Sequence, residues 1–468
     1  MNVRMLRRMT ALLMTLLLLC SAAVAEVPFL RYADGWSLDG TPLEVLLSAD
    51  VLSCMPYDED RLAMLTQVTD MLSLRLTTGE NEGSVTVLVG EEEAITLAYH
   101  GQEAQISCIP EMSFAAQVDP MGALLGGTTE ISLPYGLRAD SETLLDDGWI
   151  LLENLTEPLE PYGNRKSVKT TITDMGTART CTDYTIPSAD VELLKAMLLE
   201  NCPDGWLKEI ISGLTFSGKQ TLRVYRTADE VPLRMEWNGT CGPDGNLRTV
   251  KLIWRMRRDD TAHRDEVTLT SPAKSGTNKN TLEFTRVIKK NKKGALEMEA
   301  TFTYTVTKDK LTTTRQGEIE LTNAFTKDAD VITGAVTLQQ KLPGEDSFTG
   351  LTIEPDVTIA GTDAAPEISG TVKVSSTSGK NVLDSAVISV QVNRSEGAVW
   401  QENEECLDLD ALTPDELAAL QTDVASGVTA AIVRPLIIQL GDTAEWFFRD
   451  MLPEQIQRIT DAANTVNE

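Results

Sequence analysis

Histidine is nearly absent, with two in 468 residues, His100 and His263. His100 stands beside Gly101 and His263 within the polar run 259–264, so both read as solvated turn positions. That scarcity removes most Ser-His-Asp and Cys-His schemes, which need a base oriented by a third group. It also leaves little with which to build a transition-metal site. Cysteines never occur in a C-x-x-C spacing, so zinc-ribbon and thioredoxin-like chemistry lack support. Positive charge is short as well: 41 Lys and Arg against 70 Asp and Glu give a formal net of −29. Such a field disfavours nucleic acid as a partner. A phosphate-binding loop is almost present in Gly213-Leu214-Thr215-Phe216-Ser217-Gly218-Lys219, but Gln220 stands where magnesium needs a Ser or Thr hydroxyl. The predicted order there, helix then strand, is also the reverse of a P-loop. Acids are plentiful enough for a carboxylate-based hydrolase, yet no spacing singles out a pair. No catalytic, cofactor or metal residues are assigned, and the chain reads as non-enzymatic.

What is present begins with an export signal. Arg4, Arg7 and Arg8 precede an apolar run from Met9 to Leu19, and Ala23-Val24-Ala25 supplies the small residues of a cleavage site. Residues 1–25 therefore read as a signal peptide, too short in its apolar part to span a core about 30 Å thick. Leu19 before Cys20 disfavours a lipid anchor at that cysteine. The expected location is secreted or extracytoplasmic, in the cell envelope. Cys54, Cys108, Cys181, Cys202, Cys241 and Cys406 remain, an even number that fits up to three disulfides without fixing their pairing.

The dominant pattern is period-2 alternation. In Leu296-Glu297-Met298-Glu299-Ala300-Thr301-Phe302-Thr303-Tyr304 the even positions are apolar and the odd ones Glu or Thr, a strand with one buried face. Similar runs predict strands near 221–227, 233–239, 246–257, 265–271, 281–288, 295–306, 311–323, 331–342, 348–359, 367–376 and 382–392. Four shorter runs, at 72–78, 84–89, 94–99 and 102–107, follow a helix over 60–71. Helical stripes also appear at 141–155, after Pro187, and around Trp206–Ile211. Residues 26–57 form a loosely patterned entry segment. The chain thus divides into the signal, a mixed segment over 26–216, a long meander over 217–395 that shares a sheet with 60–186, and a helical segment over 396–468. Thr413-Pro414-Asp415-Glu416 is a helix start with a capping box. Arg434 and Pro435 interrupt the apolar run after it, so no transmembrane span is expected in the mature chain.

The fold class predicted is mainly β with helices (α+β): a large curved antiparallel meander or half-barrel covered by helices. Its second face carries Thr, Glu, Lys and Arg, which cannot sit in lipid, so an outer-membrane barrel is disfavoured. Residues 219–315 hold 20 basic against 12 acidic residues. These cations either face acidic helices of the same molecule or form a patch for an acidic polymer or lipid head group. On the apolar face, Met235, Trp237, Trp254, Met256, Phe284, Met298, Phe302 and Tyr304 form a candidate ligand surface, since Met and Trp make adaptable apolar pockets. The simpler role for these residues is a core covered by the C-terminal helices.

A signal peptide, a helix, a β-meander, interposed helices and further long antiparallel strands, over residues 60 to 392, resemble the half-barrel of the LolA/LppX-like envelope lipoprotein carriers. That resemblance implies an apolar sheet face with helical cover that holds lipid chains. The function expected is binding of an apolar small molecule, a lipid or a segment of an envelope protein. The alternative is a structural or adhesive surface protein acting through the outer face.

Overall fold

The computed structural model describes residues 32, 42–54, 57–78, 82–100, 103–109, 112–116, 144–203, 206–242, 247–259, 262–272, 279–308, 310–362, 364–395, 406–451 and 453. Residues 1–25, expected above to be a signal peptide, lie outside them, with Cys20. In chain order the elements are β1 (Leu43–Cys54), α1 (Glu59–Asp70), β2 (Leu72–Thr78), β3 (Glu82–Val89), β4 (Glu92–His100), β5 (Glu103–Ile106), β6 (Ser113–Ala115), α2 (Leu144–Asn154), β7 (Gly163–Ile172), β8 (Gly176–Ile186), α3 (Val191–Asn201) and α4 (Trp206–Ser212). The meander follows: β9 (Thr215–Arg226), β10 (Pro232–Gly242), β11 (Arg248–Asp259), β12 (Ala262–Pro272), β13 (Lys279–Lys290), β14 (Leu296–Lys308), β15 (Leu311–Asn323), β16 (Asp330–Lys341), β17 (Thr349–Thr362), β18 (Ala365–Ser378) and β19 (Asn381–Arg394). β20 (Cys406–Asp408), α5 (Pro414–Leu440) and α6 (Asp442–Trp446) close the described chain.

Among the described residues, one sheet of 20 strands contains every strand. β7 through β19 pair in sequence, β19 pairs with β1, and β1 leads through β2 to β6. Among the described residues, β7 pairs with β8 alone, and β20 lies parallel to β6 at the opposite edge, so the sheet is not closed by strand pairing. The fold is mainly β with helices. β1 is the seam: it runs antiparallel to β19 on one side and β2 on the other, and it fell in the segment that looked unpatterned.

Directly opposed residues on antiparallel neighbours share a face. The register therefore makes one continuous apolar face, for instance Trp254↔Val267, Val267↔Phe284 and Phe284↔Phe302. Gly334 and Gly370 lie on this face with φ of 138° and 151°. A Cβ there would sit 2.0 Å and 2.1 Å from the backbone oxygens of Glu320 and Asp356. Glycine kinks of this kind bend a sheet. The curvature brings together Leu43, Leu296, Met298, Ile332, Val357 and Ile368, all 5% exposed or less, in a cluster drawn from strands and, among the described residues, the turn residue Phe325.

The near-P-loop turns out to be strand. Ser217 faces Thr240 and Thr221 faces Asn238, so residues 218–220 bulge opposite Gly239. Gln220, fully buried, fills the bulge: its Nε2 donates to the carbonyls of Ser217 (2.8 Å), Gly218 (3.3 Å) and Thr240 (3.3 Å), and its Oε1 accepts from Trp237 Nε1 (3.2 Å). Gln220→Ala removes this bridge from a buried site and is expected to lower stability by about 1–3 kcal/mol in urea unfolding. An unchanged midpoint would show the bulge holds without it.

α5 carries the predicted capping box: the Thr413 hydroxyl accepts from Glu416 N, and the Glu416 carboxylate accepts from Thr413 N at 2.9 Å. The Thr413 hydroxyl also donates to that carboxylate (2.7 Å), and this bond with the one from Thr413 N holds the Glu416 carboxyl below its ordinary range. The helix continues through Arg434 and Pro435, which interrupt its apolar run, as a single 27-residue element. By length and composition it is apolar enough to cross a membrane. Here it lies on the sheet, with Val424 and Leu436 buried.

Candidate functional site: the apolar face of the sheet

The two flanks of the apolar face are covered by the chain's own helices. Over β8 to β12, Leu151, Leu152 and Leu155 of α2 and its end, Leu194 of α3 and Ile211 of α4 cluster with Tyr184, Val224, Trp254 and Met256. α2 comes so close that a Cβ on Gly148 would lie 3.2 Å from the Trp254 ring. Over β3 to β6, Leu417, Leu420 and Val424 of α5 pack on Ile95, Ile106 and Phe114. Leu436 and Ala444 then cover Val89, with Leu72 beside them. Tyr57, just before α1, meets Trp446 of α6 edge-on, 6.1 Å between ring centroids.

The eight sequence-selected residues all fall on this face, on adjacent cross-strand rows. Met235 opposes Trp254, Phe284 opposes Phe302, and Trp237 opposes Leu252 in the row that reaches Leu282 and Tyr304. Their surroundings differ. Trp254 (5%) and Met256 (0%) are sealed beneath α2–α4, and Met298 (4%) lies in the strand cluster. Met235 packs at the edge of the helix-covered cluster. Trp237 leans on Phe216, 5.9 Å between centroids, and donates to Gln220. Phe284, Phe302 and Tyr304 are half-buried, as are Leu282, Leu338 and Leu351 on the same rows. The Phe302 ring lies over Gly317, where a Cβ would meet it at 2.2 Å. What this leaves is an apolar band between the two helix-covered flanks, toward the end of the sheet that holds the β14–β15 turn.

Charge also enters the apolar face, which the alternation did not reveal. Asp265, fully buried, accepts from Trp254 Nε1 (2.9 Å), Arg258 (2.8 Å) and Arg286 (2.9 and 3.1 Å). Arg258 also lies 5.2 Å from the Trp149 ring of α2, a cation–π contact. His263, opposite Arg258, is 3% exposed on β12, a correction to its placement in a solvated turn. The missed signal was parity: Arg258, Asp265 and Arg286 each stand in step with Trp254, Val267 and Phe284. Burial with complete bonding makes this cluster a fastening of α2 and three strands.

No family model matches the chain, and no curated protein matches it. Among solved structures it is similar to OmpTdeltaL8, a loop L8 deletion mutant of OmpT, an outer membrane protein of Vibrio cholerae, at a TM-score of 0.29 and 8% identity over 75% of this chain and 97% of that one. A likeness at that level carries no argument about fold or function.

The opposite face is charged and largely self-neutralising. Asp183 bonds Lys166 (2.8 Å) and Arg223, which hold its carboxyl below the usual range. Glu266 bonds Arg264 (2.8 Å) and Arg255 (3.1 Å), and Glu299 bonds Lys289 (2.6 Å). The basic strands thus find acids on neighbouring strands of their own face, where acidic helices had been the simplest expectation. Exposed pairs of this kind contribute little stability each. No group of His, Cys, Asp and Glu suited to a metal occurs among the described residues. Cys108, Cys181 and Cys241 have thiol pKa values raised by burial, which keeps them protonated and unreactive. No disulfide joins Cys108, Cys181, Cys241 and Cys406.

Proposed function

We propose that this chain is an exported, non-enzymatic binding protein that holds an apolar ligand, such as a lipid chain or a partner's apolar segment, against the half-buried band of its curved sheet. The observation that carries this reading is the band itself. Leu282, Phe284, Phe302, Tyr304, Leu338 and Leu351 keep partial exposure on adjoining rows, while the flanking parts of the same face are sealed by α2–α4 and α5–α6. A sheet face that needed only a core would be sealed throughout. The N-terminal signal supports an extracytoplasmic location.

Native mass spectrometry of the purified protein, with titration of a fluorescent fatty-acid probe, tests it. Tyr304→Asp and Leu282→Asp place charge in the band and are expected to weaken probe binding at least about tenfold, because an unpaired charge is costly to desolvate. Their unfolding midpoints should move little, since both side chains are already part-exposed. A protein that carries no apolar species and takes up no probe would sink the reading, as would a probe affinity indifferent to both substitutions.

A further inference from the structure

Seven large apolar side chains are exposed among the described residues, and all belong to segments at one end of the sheet. Leu311 (61%) starts β15, Val382 (54%) starts β19, and Leu52 (44%) lies near the end of β1. Register places these together: β14 ends where β15 begins, β18 ends where β19 begins, and Cys54 opposes Asp384. Ile437 and Ile438 (83%) belong to the same end, because Leu436 packs on Val89 and Gln439 reaches to 4.0 Å of where a Cβ on Gly90 would stand. Leu193 opens the helix that follows β8, and Ile210 lies just before β9, again at this end. It is also the end toward which the apolar band opens.

Charge is distributed around the rim unevenly. Among the described residues at the turns joining β12 through β19 at this end, Lys279, Lys308, Lys310, Lys341 and Lys380 stand against Glu345 and Asp346, a basic excess in a chain of net charge −29. Leu311 directly follows Lys310, and Val382 stands two residues after Lys380. Acids of this end lie outside that sector, with Glu91 to Glu93 at the β3–β4 turn, Asp58 to Asp60 at the start of α1, and Asp190 and Glu192 at the start of α3. Among the described residues, the basic turn 290–293, at the far end of the sheet, has no exposed large apolar neighbour. Apolar tips set among lysines are what an interfacial contact with an anionic bilayer requires: the tips enter the acyl boundary and the ammonium groups meet phosphates.

We infer that this end of the sheet docks on an anionic lipid surface through its β13–β19 sector, with Leu311 and Val382 entering the bilayer and Lys308, Lys310 and Lys380 meeting the head groups. The inference rests on the ligand-binding reading and supplies its missing route, since docking would set the open end of the band against the source of apolar chains. Without these lysines the overall negative charge would repel such a surface.

Co-sedimentation with vesicles of phosphatidylcholine and phosphatidylglycerol, using the protein with whatever N-terminus the expressing cell leaves, tests it. The expected result is binding that weakens with salt and falls at least about tenfold in Leu311→Asp/Val382→Asp and in Lys308→Glu/Lys310→Glu/Lys380→Glu. Both rim variants should keep the soluble fatty-acid probe, while Tyr304→Asp should lose the probe and keep the vesicles, so failure of docking and failure of the band separate cleanly. A protein that stays in the supernatant, or rim variants that sediment like the wild type, would overturn the inference, including the case where the rim meets another protein.

Discussion

Asp265→Leu is expected to cost about 3–5 kcal/mol of stability, a loss readable by urea or thermal unfolding. The carboxylate is fully buried between Arg258 and Arg286 and accepts the Trp254 indole N–H. Removing it leaves two guanidinium groups in a covered face without their counter-charge. The arginine side chains are 11% and 7% exposed and cannot reach solvent without lifting α2, whose Trp149 stacks on Arg258. Asp265→Asn keeps the shape and one acceptor, so it should fall between wild type and leucine. Pairing Asp265→Leu with Arg286→Met should recover part of the loss, because an apolar replacement of a buried ion pair is often neutral while a half-pair is not. A wild-type midpoint for Asp265→Leu would mean the arginines find water in place.

The same cluster shows how much of the architecture is written locally. Each of the eleven meander strands was legible, because alternation over seven or more residues leaves one parity for the buried face; the largest shift is at β9, which begins at Thr215. β1 escaped because Leu46-Leu47 breaks its alternation, and its strand character depends on β19 and β2 on either side. Continuity of α5 through Pro435 was likewise hidden, since a proline inside a helix reads as an end unless packing holds the turns together. Leu436, the next residue, is fully buried and supplies that packing.

The candidate site was legible as a face, and less so as a location. Parity alone placed Met235, Trp237, Trp254, Met256, Phe284, Met298, Phe302 and Tyr304 on one side. Which of them lie under helices depends on approaches between residues more than a hundred positions apart, such as Gly148 to Trp254. The sequence pointed to the C-terminal helices as cover, and they do cover β3 to β6. The Trp254–Met256 patch is instead sealed by α2–α4, from the segment before the meander. Leu282, Leu338 and Leu351 join the open band only once register is known.

Curvature is the property that makes such a band, and two glycines carry it. Gly334→Ala and Gly370→Ala are each expected to destabilise by about 2–4 kcal/mol, combining backbone strain in a region that side chains rarely adopt with overpacking against main chain. The φ values of 138° and 151° exclude relief by a small rotation, and the atoms in the way, Glu320 O and Asp356 O, are backbone, so no rotamer change clears them. Relief must come from straightening β16 or β18. Straightening would part Leu43 of β1 from Leu296 of β14 and Ile332 of β16 across the curl and uncover the strand cluster, so each variant should bind more of an apolar dye at temperatures below its own midpoint. Because both bends shape one surface, the double variant should cost less than the sum of the singles. Neutral alanines at both positions would place the origin of the curl elsewhere. A destabilised but dye-silent variant would show that the cluster stays closed after the bend is lost, and the open band would then owe its shape to the flanking helices.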